Sequence, residues 1–111
     1  MKTIISLFSI MLLVGSNAIF AEEHANAALE HANAAVTHGK AGHAPILVEH
    51  ATAALEHAKQ SANVAKGETK THADAAVKSL DDAISHGKMG HADIATKSAE
   101  EAVEHIKAGN K

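Results

Sequence analysis

From residue 22 onward the apolar positions keep one register, advancing by three, one and three along four successive segments. Ala25, Ala28, Leu29, Ala32, Ala35 and Val36 make the first stripe, and Ala44, Leu47, Val48, Ala51, Ala54, Leu55 and Ala58 the second. Ala73, Ala76, Val77, Leu80, Ala83 and Ile84 make the third. Ala92, Ala95, Ala99, Ala102, Val103 and Ile106 make the fourth, interrupted only by the polar Thr96. That period winds each stripe onto one face of an α-helix and leaves the opposite face wet. With glycines as punctuation, the pattern predicts helices over 23–38, 45–66, 72–86 and 92–108, with Pro45 in a first turn that tolerates it. Thr71 and Asp74 read as a capping pair for the third helix, and 65–71 as the connector before it.

The hexapeptide His38-Gly39-Lys40-Ala41-Gly42-His43 returns as His86-Gly87-Lys88-Met89-Gly90-His91, 48 positions later. Two helical hairpins follow. Neither can bury its stripes alone, so the expected fold is all-α: an antiparallel up-down-up-down four-helix bundle made of two repeated hairpins.

Residues 1–21 differ from the rest. Met1-Lys2-Thr3 precedes a nearly unbroken apolar run from Ile4 to Val14 and then Gly15-Ser16-Asn17-Ala18-Ile19-Phe20-Ala21. This is the layout of a secretory signal peptide, with cleavage expected after Ala21 or else after Ala18. The run falls short of the roughly 20 residues that cross a bilayer. The expected mature domain is 22–111. Trp, Tyr and Cys are absent, and both Phe residues, Phe8 and Phe20, fall in the leader. The core must therefore be built from Ala, Val, Leu and Ile, with neither disulfides nor thiolate ligands. Without Lys2, nine Lys stand against thirteen acidic residues. That balance argues against nucleic acid or anionic membrane as partner and toward cations.

All ten His lie in the mature part. With Leu29, Leu55, Val77 and Val103 at heptad position a, the residues His24, His31, His38, His43, His50, His57, His72, His86, His91 and His105 all fall at c. A merely solvated face would carry Lys and Glu, which form helix better than His. Two His seven residues apart on one helix are separated by roughly 10.5 Å, too far to share an ion. Partners must come from another helix. Folding the first hairpin about its turn levels residues whose numbers add to 81, pairing His38 with His43, His31 with His50 and His24 with His57. In the second hairpin the sum is 177, pairing His86 with His91 and His72 with His105, while the middle rung is Ser79 with Ser98. Histidine is lost from both members of that rung together. Five two-His rungs are expected, although the pattern leaves open whether they join helices one and two or turn toward four and three. Asp82 and Glu101, each one turn before a His, are candidates to complete a shell, whereas Glu30, Glu49, Glu56 and Glu104 point away.

Nitrogen and oxygen donors without thiolate rank copper(II) first among first-row divalent ions, with nickel(II) and zinc(II) behind. Protons compete for imidazole nitrogen, so affinity is expected to fall below about pH 6. No nucleophile, base and orienting group stand at usable spacing, and no enzyme activity is expected. The rival reading is a chaperone-like helical interaction protein whose His sense pH. It needs large exposed apolar side chains, which are scarce here.

The blocks His24-Ala25-Asn26-Ala27-Ala28-Leu29-Glu30-His31 and His50-Ala51-Thr52-Ala53-Ala54-Leu55-Glu56-His57, with the two His-Gly-Lys-x-Gly-His turns, resemble the small metal-binding protein family over essentially all of the mature chain. The resemblance implies a periplasmic, monomeric four-helix bundle that buffers or scavenges several copper ions and other divalent metals less selectively, with all ten His as ligands. Ser79 and Ser98 depart from the family pattern, and a markedly His-rich tail is missing. Fewer sites should follow.

Overall fold

Alanine loses no side-chain entropy in a helix, and in the computed structural model, which describes residues 17–110 with side chains from Phe20 onward, four helices take up nearly all of the described residues. They are α1 Asn17–Lys40, α2 Ala44–Val64, α3 Gly67–Lys88 and α4 Ala92–Gly109. No strand occurs among the described residues. Residues 1–16 of the expected leader lie outside them, and α1 runs through both expected cleavage positions, Ala18 and Ala21.

Both turn hexapeptides close in the same way. Gly42 N–H donates to the Gly39 carbonyl at 3.0 Å and His43 N–H to the His38 carbonyl at 2.9 Å; Gly90–Gly87 and His91–His86 repeat these bonds at 3.0 and 2.9 Å. These are the paired bonds of a Schellman motif, which places one residue in left-handed backbone. Gly42 at φ +82° and Gly90 at φ +79° take that place. Gly42→Ala should cost about 1–2 kcal/mol through backbone strain alone, since a Cβ there would meet nothing within 4 Å. Urea unfolding followed by circular dichroism checks this, and an unchanged midpoint would mean the turn relaxes to another form.

The third helix starts earlier than the sequence suggests. Gly67, at φ +63°, turns the chain, and the connector shrinks to Ala65 and Lys66. Thr71 is no cap: its hydroxyl donates to the Gly67 carbonyl at 3.3 Å, and Asp74 pairs with Lys70 at 3.2 Å across one turn. A Thr hydroxyl bonds backbone equally from a cap or from a helix interior, so the pattern was ambiguous.

The helices pack as a four-helix bundle in which each touches its two neighbours in the ring α1–α2–α3–α4, with α2 also meeting α4 across the diagonal. α1 and α2 run antiparallel, since His24 meets His57 at one end and His38 meets His43 at the other. α3 and α4 do likewise through His72 with His105 and His86 with His91. Ala28, Ala32, Ala35, Ala51, Ala54, Ala76, Ala83, Ala95, Ala99 and Ala102 are completely buried, and Leu47 and Leu80 are the large side chains fully enclosed with them. The stripe is therefore centred on positions g and d. In α1, α2 and α3 position a lies on one flank, where Leu29, Val36, Val48, Leu55, Val77 and Ile84 are only partly buried; in α4 the a residues Thr96 and Val103 are buried.

So small a core demands close helices. A Cβ on Gly39 would run into the Thr96 hydroxyl and come within 2.6 Å of Leu47 Cδ1, and one on Gly87 within 2.6 Å of Val48 Cγ2. The first glycine of each hexapeptide thus serves helix contact, and the second serves the turn.

Candidate metal centre

Around a helix, c is the neighbour of g on the side away from a, so a core centred on g and d has His on one flank and the larger aliphatics on the other. The structure divides the seams accordingly. Val48 of α2 packs over Gly87 of α3, and Val36 of α1 shares a groove with Val103 of α4. The His flanks meet in the other two seams, α1/α2 and α3/α4. This settles which helices the rungs join.

All five expected rungs are brought together. Ring centroids lie 5.3 Å apart for His24–His57, 5.8 Å for His31–His50 and 6.0 Å for His38–His43. In the second hairpin they lie 5.6 Å apart for His72–His105 and 6.1 Å for His86–His91. The rings are half-buried, apart from the exposed His43 and His91 that open α2 and α4. The turn pairs owe their proximity to the Schellman motif itself, because its first and sixth residues are the two His. The far pairs depend on packing of whole helices.

Two pairs face each other through Nδ1, at 3.1 Å in His24–His57 and 3.4 Å in His72–His105. When both rings are neutral, one N–H can donate to the other's lone pair. The same separation suits an ion. A divalent metal about 2.0–2.1 Å from each nitrogen would subtend roughly 100° at the first pair and 110° at the second, matching two adjacent coordination positions. His86 supplies another sign, for its Nδ1 is buried with no hydrogen-bond partner. A buried ring nitrogen without a partner is costly unless something occupies its lone pair.

The carboxylates do not join. Among the described residues no group of three His, Asp or Glu is gathered closely enough to hold an ion. Asp82 and Glu101 are exposed. They stand at position f, outboard of c, while the rings lean the other way across the seam; one helical turn of spacing did not bring them in. Glu30, Glu49, Glu56 and Glu104 are exposed, as expected.

Two further contacts lie between the rungs. His31 stacks on His57 at 5.9 Å and His38 on His50 at 5.4 Å, with interplanar angles of 6° and 4°. Helical side chains lean toward their own N-terminus. On antiparallel helices His31 and His57, whose Cα atoms stand one rung apart in height, therefore lean toward each other. That signal was available in the spacing, since both diagonal pairs have numbers adding to 88, but levelling by Cα height hides it.

A search of curated proteins gives no match. The family comparison is positive over nearly the full chain: the model described as small metal-binding protein matches residues 1–109. With four helices, two repeated turns and ten His gathered into interhelical pairs, the chain belongs to the small metal-binding protein family.

Proposed function

We propose that this protein binds several divalent transition-metal ions through its interhelical His pairs and serves as a buffer or scavenger. Copper(II) is the preferred ion, with nickel(II) and zinc(II) behind it, because the donors are imidazole and water oxygen with no thiolate. All ten His act as ligands, and water completes each shell. Residues 1–21 direct export to the periplasm and are removed, leaving a monomer over 22–111. The protein acts by holding ions and not by turning over a substrate.

The 3.1 Å Nδ1–Nδ1 separation of His24 and His57 carries this reading. Family membership supports metal binding in the same direction. The rival reading, a chaperone-like surface with pH-sensing His, has little to stand on: among the described residues the exposed large apolar side chains are Phe20, Met89 and Ile94.

The test is native mass spectrometry with copper(II) at pH 7.5, on the wild type and on a His31→Ala, His50→Ala double variant. Several ions should be retained by the wild type and one fewer by the variant. Retention of no more than a single weak ion by the wild type would return the interaction protein to first place.

A further inference from the structure

Along the α1/α2 seam each imidazole hands on to the next. His24 meets His57 at 5.3 Å, His57 meets His31 at 5.9 Å and His31 meets His50 at 5.8 Å. His50 then meets His38 at 5.4 Å, and His38 meets His43 at 6.0 Å. Six rings from two helices form one zigzag in which every inner ring has a partner on both sides. The α3/α4 seam has the same backbone plan but a different outcome. His72–His105 and His86–His91 stand at its ends, with Ser79 and Ser98 at the rung between them. Their α3 members are 14 residues apart, or roughly 21 Å of helix.

We propose that the diagonal pairs His31–His57 and His38–His50 are two-imidazole binding stations in their own right, which makes the α1/α2 seam a continuous track for a divalent ion, whereas the α3/α4 seam holds two isolated stations. The proposal rests on the metal-binding reading above. An ion held by His24 and His57 moves on by losing its bond to a nitrogen of His24 and gaining one to His31, while His57 stays bound. No proton or electron need move, because each neutral ring binds and releases through a lone pair. The near-parallel diagonal rings must rotate for their lone pairs to converge, and the ring torsion of His is broad. These rings are half-buried, with one side open to solvent. An ion leaving His72 and His105 finds no second imidazole to hold before it loses the first. It must pass through water.

The test uses zinc(II), which is diamagnetic, at half an equivalent with the full protein, and follows the ring signals of all ten His by exchange NMR. Ions should pass between His24–His57 and His38–His43 at least tenfold faster than between His72–His105 and His86–His91, at a rate unchanged by tenfold dilution. His31→Ala with His50→Ala leaves both end pairs of the track and removes its middle, so exchange should drop to the rate of the second hairpin. Ser79→His with Ser98→His should raise the second hairpin toward the first. Equal rates in the two seams, or no slowing in the His31/His50 variant, would overturn the track while leaving metal binding intact. If zinc(II) shifts no His signal, both the track and the metal-binding reading fail.

Discussion

Leu47→Ala should lower the free energy of unfolding by about 3–4 kcal/mol, a large share of what a small domain possesses. Leu47 is completely buried and sits where three helices converge. Its Cδ1 lies against Gly39 of α1 and its Cδ2 against Gly87 of α3, both positions where any Cβ would collide. Truncation therefore opens a void between elements already as close as their backbones allow. The surrounding Ala side chains are too short to fill it, so the cavity term should be near its upper range. Leu55→Ala is the control. It removes the same atoms from a half-buried flank position and should cost less than half as much. The absence of Trp and Tyr makes far-ultraviolet circular dichroism in urea the practical readout. Equal losses at the two positions would mean that the Ala core closes over the gap.

Saturating copper(II) should raise the melting temperature by more than 10 °C, and a chelator should reverse the shift. An ion that binds only the folded chain stabilises it by RT ln(1 + [L]/Kd), about 2.7 kcal/mol per site at a hundredfold excess over Kd. For a domain of this size each kcal/mol is worth about 4–8 °C. Two such sites suffice, even after allowance for the affinity of the unfolded chain's own His. The His31→Ala, His50→Ala variant should show a smaller shift. A melting temperature indifferent to copper(II) would mean that the pairs are not bridged across helices.

The helical register, the two turns and the pairing of the rungs were all legible in the spacing of Ala and His, because a heptad repeat and a symmetric turn together fix which residues stand level. Two kinds of information were not. Thr71 looked like a cap because a hydroxyl can accept from backbone N–H at a helix start and can equally donate to a backbone carbonyl inside a helix, and only the positive φ of Gly67 places that start. The His31–His57 and His38–His50 contacts depend on the lean of side chains along the axis, which a count by Cα height ignores. Asp82 and Glu101 were expected near His86 and His105 on spacing alone, yet one helical turn of proximity says nothing about which way two side chains lean. The choice between partner seams was likewise closed to sequence. It follows from whether the apolar stripe is centred on a and d or on g and d, and only packing decides that.

The Schellman turns give the five pairs unequal dependence on folding. His38 and His43 are linked by a backbone bond and five residues of chain, as are His86 and His91. His24–His57 and His72–His105 are each 33 residues apart. Closing a loop costs entropy that grows with its length, so the turn pairs are local and persist when the helices separate, while the far pairs exist only in the assembled bundle. With ions held at the pairs as proposed, fraying from the end opposite the turns would release ions there first. The hexapeptides would then be the last places to let go and the first to capture, and would seed refolding of the hairpins around an ion already held.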